Sequence, residues 1–272
     1  MKKAIIVGIT DYNGKYGSLP GCVTDMQEWS DILTNKYDFK PENVRLLSNN
    51  RATKSEILSR LEWLFSDKLA THLVFCFAGH GARIRRRDYD TGDLADQLDE
   101  ALVAYPASKD EDIQKHLIYD DDLCDIVNRY SGESKAAISL IFDSCHSGGM
   151  LRDVLGGDAP LPRAIEIPPD VSFRELSAIN LTTRRIGELA NVDVKHVICA
   201  AALDVESAWD ARMEDGNRHG VFTFHATRAL ANNPNLTFRE LIDATKQKVS
   251  QKFPQHPDLL GSNMRFQSQF LS

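Results

Sequence analysis

The strongest constraint in this sequence is a series of short apolar runs separated by segments of helical periodicity. The runs are Ala4–Ile9, His72–Ala78 (HLVFCFA), Ala136–Phe142 (AAISLIF) and Val194–Ala201 (VKHVICAA). Runs rich in β-branched and aliphatic residues, with little alternation, belong to strands covered on both faces. Val44–Leu47 and Ala101–Tyr105 add two shorter strands. Between them lie helical patterns: Thr24–Lys36 with Met26, Trp29, Ile32 and Leu33 on one face, and Thr53–Phe65 with Ile57, Leu61 and Leu64 on one face. Thr53 and Glu56 have the spacing of a capping box. Asp121–Tyr130, Val221–Leu230 and Thr237–Lys252 are the remaining helices. Alternation of this kind predicts an α/β fold with a mostly parallel sheet and helices on both faces.

A chain of 272 residues is one or two domains long, and a single α/β unit of this size is ordinary. Lys and Arg number 32 against 39 Asp and Glu, a net charge of −7. That balance lacks the basic footprint which phosphate backbones require, so nucleic acid is excluded as the main partner. Five cysteines at wide spacing, with no CxxC pair, argue against a disulfide framework or a thiolate zinc site. The apolar run after Lys2 and Lys3 stops at Asp11 and is too short for a secretory leader. No stretch approaches the ~20 apolar residues of a membrane span. The expected setting is a reducing cytoplasm.

Two stretches break the rhythm. Arg83–Glu100 carries four arginines and then six acids, and reads as a long polar insertion after a strand. Arg152–Asn191 holds four prolines and the arginines Arg152, Arg163, Arg174, Arg184 and Arg185. Long loops in a compact domain are usually functional or disordered.

In parallel sheets, ligands bind beyond the carboxyl ends of the strands. Two strands here end in unusual residues: Ala78-Gly79-His80-Gly81 and Asp143-Ser144-Cys145-His146-Ser147-Gly148-Gly149. If those strands are neighbours, His80 and Cys145 project into one crevice. Thiol catalysis needs that pair, because the thiolate attacks and an adjacent imidazole removes its proton. The flanking glycines permit sharp bends, and an N–H such as that of Gly81 can support a developing oxyanion. His146 adjoins Cys145, but neighbours on an extended chain point to opposite sides, which favours His80 as the base. Cys76 and His80 are too far apart along a strand to share one zinc.

The segments FAGHGAR (77–83) and DSCHSGG (143–149) resemble the histidine and cysteine motifs of metacaspases. The opening KKAIIVGITDY and Leu19–Asp25 are similar as well, while CAAALDVESAW (199–209) and GVFTFHATRAL (220–230) resemble the small-subunit region more weakly. The resemblance implies a caspase-like three-layer α/β/α sandwich forming one catalytic domain. Residues 1–151 would be large-subunit-like, 152–191 the inter-subunit linker and 192–272 small-subunit-like. It casts Cys145 as nucleophile and His80 as general base and acid of a cysteine endopeptidase cleaving after Arg or Lys. Asp25 and Asp143 match the acidic specificity pocket, although Asp25 also reads as an N-terminal helix acid capped by Thr24. Ala78 departs from the serine that the family often carries there.

The resemblance further implies calcium as an activator, held by Asp99, Asp120 and Asp121, though Arg152 stands where a further acid is expected, with Asp153 one step later. No cofactor is required for the chemistry. It also implies a zymogen cut in the linker, with Arg184-Arg185 the favoured self-cleavage site among the five arginines, and a monomer acting on protein or peptide substrates. Trp209 reads either as a subsite wall or as core. Competing functions are a caspase-like binding module without peptidase activity, and a peptidase with a different preference at the cleavage site.

Overall fold

The structure is a computed structural model that describes residues 1–86, 98–131, 135–145, 159–167, 173–174 and 196–272. The chain runs β1 (Lys2–Gly8), α1 (Cys22–Lys36), β2 (Val44–Ser48), α2 (Lys54–Phe65), β3 (His72–Ala78), β4 (Gly81–Arg86), β5 (Leu98–Val103), β6 (Leu117–Tyr119) and α3 (Asp120–Ser131). It continues with β7 (Ala137–Asp143), β8 (Leu161–Pro162), β9 (Phe173–Arg174), β10 (His196–Ala200), β11 (Trp209–Arg212) and β12 (Arg218–Gly220). The last elements are α4 (Val221–Asn232), α5 (Phe238–Val249), β13 (Asp258–Gly261) and the short α6 (Asn263–Phe266).

The central sheet has six strands in the order β13-β10-β7-β3-β1-β2. Five are parallel to one another, and only the edge strand β13 is antiparallel. Successive residues of each strand feed opposite faces, because side chains alternate across a pleated strand. Ile5, Val7, Phe75, Phe77, Leu140 and Phe142 pack with Ile57 and Leu61 of α2 and with Leu123 and Val127 of α3. Ala4, Ile6, Val74, Cys76, Ile141 and Cys199 pack on the other face with Trp29 and Leu33 of α1, Phe222 of α4 and Leu241 of α5. The result is an α/β/α sandwich, with the sheet covered on both sides as the apolar runs require. Leu61 is fully buried. Leu61→Ala is therefore expected to cost about 2–5 kcal/mol of stability in equilibrium denaturation.

Several local expectations change. Ala101–Tyr105 does not join the central sheet: Ala101–Val103 fall in β5, which pairs antiparallel with β4 and β6 in a separate four-stranded sheet, and Ala104 and Tyr105 follow it. The stretch Arg83–Glu100 thus begins and ends as strand, although its middle lies outside the described residues. The helix read from Thr24 starts at Cys22, with Gly21 as its N-cap, so Thr24 is not a cap. The capping box with both reciprocal bonds belongs to Thr237 and Glu240 at the start of α5. Thr53 does accept from the Glu56 N–H at 3.4 Å. None of the described helices is long and apolar enough to cross a membrane.

Candidate active site

The register of the two central strands builds the site. In the β3–β7 pair, Ala78 lies opposite Asp143. His80 and Cys145 each follow that pair by two residues, so both sit just beyond the carboxyl end of the sheet. His80 is 1% exposed and Cys145 3% exposed. The His80 Nε2 lies 2.7 Å from the Gly17 carbonyl oxygen. A carbonyl only accepts, so Nε2 carries the proton, and Nδ1 is the nitrogen able to take one. Tyr12 holds this histidine in two ways: its hydroxyl accepts the His80 backbone N–H at 2.7 Å, and the two rings meet at a tilt of 43° with centroids 4.9 Å apart. Burial pushes the Cys145 thiol up to about 11, so in this arrangement it is protonated at neutral pH.

The occupant of the crevice is Arg163, from the stretch read as a linker. It is fully buried. Its carbonyl oxygen accepts the N–H groups of Gly81 at 2.9 Å and of Cys145 at 3.2 Å, and its own N–H donates to the Ala208 carbonyl at 2.9 Å. The next residues stay in place through an Ile165 N–H bond to the Gly81 carbonyl at 2.9 Å. The guanidinium reaches inward to three carboxylates. Nη2 donates to Asp25 at 2.5 Å and to Asp210 at 3.2 Å, and Nη1 meets the Asp143 carboxylate and backbone carbonyl, each at 3.2 Å. Charged hydrogen bonds to a planar fork are the strong kind. The remaining linker arginines lie outside the described residues, except the backbone of Arg174, which forms part of β9.

Each pocket acid is held from several sides. Asp25 accepts the Gly220 N–H at 2.8 Å, and its other oxygen faces His219 Nδ1 at 3.2 Å. Asp143 accepts the backbone N–H and hydroxyl of Thr223, in the first turn of α4, at 3.1 and 2.6 Å. A helix N-terminus favours a carboxylate there. Burial nevertheless outweighs Arg163 and the Thr223 bonds, and raises the Asp143 carboxyl to about 6. Gly220 must be glycine, since a Cβ would fall on the Asp143 carboxylate and the Arg163 guanidinium. Ala78 packs with Leu19 and Cys22 in a small apolar cluster, so it brings no polar atom to the pocket. Arg163 Nε has no hydrogen-bond partner among the described residues.

Several residues of this site were not legible from sequence. Tyr12, Gly17, Thr223 and His219 act through position, and no spacing pattern marks them. Asp210 and Arg218 lie on the short strands β11 and β12, where β11 pairs with β8 just before Arg163. His219 also meets Asp215 at 3.0 Å through Nε2. Burial disfavours its charged form, but Asp25, Glu28 and Asp215 together hold its pKa above the ordinary value. Trp209 is half-buried and shares its cluster with Ala211, Val221 and Phe224.

The acids named for calcium are only partly visible. Asp120 and Asp121 open α3, Asp120 is 2% exposed, and its Oδ1 accepts the Asp121 N–H at 2.9 Å. β5, whose backbone carries Asp99, pairs with β6 at Ala101–Tyr119, immediately before these acids. The Asp99 side chain, Arg152 and Asp153 lie outside the described residues. Among the described residues, the one compact cluster of three metal-binding side chains is elsewhere, at Glu28, Asp215 and His219. There Arg228 already bridges Glu28 at 3.2 Å and Asp215 at 2.9 Å.

Comparison with known proteins agrees with this fold. A family model described as metacaspase, peptidase C14 domain, matches residues 2–154. Metacaspase-1 of Kluyveromyces lactis is 24% identical, over 97% of this chain and 68% of its own length. Metacaspase-1B of Aspergillus niger is 26% identical over 95% of this chain and 64% of its own, and that of Aspergillus oryzae is 28% identical over 95% and 67%. The chain thus spans about two thirds of the length of these relatives. A crystal structure of a Geobacter sulfurreducens protein superposes with a TM-score of 0.65 at 18% identity, covering 100% of this chain and 98% of that one, a likeness of fold alone. With a family model covering four of the six central strands together with His80 and Cys145, and relatives aligned along nearly the whole chain, this protein belongs to the metacaspase family of C14 cysteine peptidases.

Proposed function

We propose that the chain is a cysteine endopeptidase that cleaves after basic residues, with its own Arg163–Ala164 bond as the first one cut. The observation that carries this is the pose of Arg163. Its carbonyl oxygen lies between two N–H donors, its N–H is paired to Ala208, and its guanidinium fills an acidic pocket. A peptide substrate needs all three contacts for attack at the carbonyl beside a basic side chain.

The chemistry follows from these positions. His80 Nδ1 takes the thiol proton as Cys145 Sγ bonds to the Arg163 carbonyl carbon. The oxygen gains negative charge opposite the N–H groups of Gly81 and Cys145. Collapse breaks the bond to the Ala164 nitrogen, which leaves as an amine with the proton from His80. Water then hydrolyses the thioester, His80 again moving the proton. Withdrawal of the new C-terminus at Arg163, once water has released it from Cys145, exposes the thiol and frees the pocket for arginine or lysine of other proteins. The buried, protonated thiol of the intact chain is the latent state of this scheme.

Mass spectrometry of the purified chain is expected to find a fragment ending at Arg163 that depends on Cys145, and none in Arg163→Gln. Active enzyme with this bond intact, or cut only at Arg184 or Arg185, would overturn the assignment. A Leu-Pro-Arg fluorogenic peptide, copying Leu161–Arg163, should be cleaved and its Leu-Pro-Asp counterpart should not. We extend the same reading to calcium: Asp120 and Asp121, with Asp99, would hold it, as carboxylate clusters do. Millimolar calcium against excess chelator in this assay tests that part, and an unchanged rate removes it.

A further inference from the structure

Asp210 meets the guanidinium nitrogen of Arg163 that Asp143 does not, and three partners hold it. Its Oδ2 accepts the Gly21 N–H at 2.9 Å as well as Arg163 Nη2 at 3.2 Å. Its Oδ1 accepts Arg218 Nε at 2.9 Å. Arg218 is itself fixed, since its Nη2 donates to the carbonyls of Asp210 at 2.8 Å and Ala159 at 3.0 Å. Asp210 is fully buried.

From this arrangement we infer that Asp210, positioned by Arg218, is a specificity-determining residue that selects arginine over lysine at the cleavage site. The inference rests on the peptidase reading above. A guanidinium presents two terminal nitrogens in a rigid plane. Here one serves Asp143, and the other serves Asp25 and Asp210 at once. A lysine has a single nitrogen, which ends one bond short, near the place of the guanidinium carbon. It can approach Asp25 or Asp143, but Asp210 is tied to Gly21 and Arg218 and cannot move out to meet it. Lysine therefore leaves one contact of the pocket unmade, and such substitutions at forked sites are not conservative. Arg218 has a second effect: it balances one of the three buried carboxylates, which lets three acids surround a single incoming cation without strong mutual repulsion.

The test measures kcat/KM for Leu-Pro-Arg and Leu-Pro-Lys fluorogenic peptides with one preparation of each enzyme. The ratio between peptides does not depend on the fraction of molecules already cleaved. Wild type is expected to favour arginine by roughly 30-fold or more, a typical loss for a missing charged contact. Asp210→Asn should bring the ratio to about 3 or below, chiefly by slowing arginine, since lysine never used this oxygen. Arg218→Gln, which leaves Asp210 present but unanchored, should shift the ratio in the same direction, through KM for the arginine peptide more than through kcat. A purely structural role would slow both peptides equally. If wild type cleaves neither peptide, the peptidase reading falls and this inference falls with it. If wild type cleaves both at similar rates, or Asp210→Asn and Arg218→Gln leave the ratio within twofold of wild type, only the role of Asp210 is overturned. Thermal unfolding of each variant confirms that the compared proteins are folded.

Discussion

Cys145→Ala is expected to lower hydrolysis of the Leu-Pro-Arg peptide by about 10⁴- to 10⁶-fold, the loss seen when a catalytic nucleophile is removed from an acyl-transfer site. The same variant should stay full length, because the Arg163–Ala164 bond has lost its attacker. Its fold should persist: Cys145 follows β7 rather than lying in it, and alanine keeps the backbone N–H while removing a thiol whose contact to the Ala208 carbonyl is long, at 3.8 Å. A full-length, folded and inactive protein is the combination to look for, by mass spectrometry, circular dichroism and peptide assay together. Persistent cleavage of the peptide at more than a hundredth of the wild-type rate would mean that another group attacks.

The second large effect belongs to Asp25. Asp25→Asn keeps the shape of the side chain and removes the charge that meets Arg163 Nη2. Breaking one partner of a buried, hydrogen-bonded ion pair costs about 2–5 kcal/mol. For an arginine substrate this is roughly a 30- to 4,000-fold fall in kcat/KM. The intact chain should lose stability as well, since Arg163 remains buried with one counter-charge fewer. Comparing the melting of Asp25→Asn with that of the double variant carrying Arg163→Gln checks this. If the ion pair is the cause, removing Arg163 should recover part of the loss.

Asp143 should behave differently because its carboxyl titrates near 6. Above that pH it is ionised and attracts a guanidinium. Below it the group takes a proton and the attraction is lost, so kcat/KM for the arginine peptide should fall as pH drops through about 6. Asp143→Asn should be slower than wild type at pH 8, and the gap should close towards pH 5. A gap that is constant across this range would show that the Asp143 charge is not what the substrate meets.

Much of the fold was legible because a strand covered on both faces leaves no polar positions, and such runs are hard to mistake when turn residues bound them. β1, β3, β7 and β10 were visible this way. β5 was visible as a strand but assigned to the wrong sheet. Its apolar content reflects burial, and burial alone does not say which neighbour supplies the hydrogen bonds. The polar stretch between β4 and β5 looked like loop throughout because charged side chains alternate there, although Arg83 pairs with Glu100 across the two strands at 2.8 Å.

The site divides along the same line. Cys145 and His80 could be named because each stands in a short local motif whose glycines and strand end mark it, whereas Asp25 and Asp143 were named through the resemblance to metacaspases. Asp210, Arg218, His219 and Thr223 could not: they come from β11, β12 and α4, and the pocket pairings of Asp210, His219, Gly220 and Thr223 join residues 47 to 195 positions apart, with Arg218 held against Asp210. Arg163 is the clearest case. By composition it was one of five arginines in a proline-rich linker, of which the sequence favoured Arg184-Arg185, outside the described residues, for cleavage. The choice of Arg163 depends on β8 pairing with β11 and on two N–H groups from β4 and Cys145, contacts between segments far apart in the chain. The order of apolar runs and motif residues by itself determined an α/β fold with a thiol and an imidazole at two strand ends, and the pairing of β3 with β7 made those ends neighbours. Only the tertiary structure decided which cation fills the pocket, because a buried charge is stable only where several distant carboxylates converge on it.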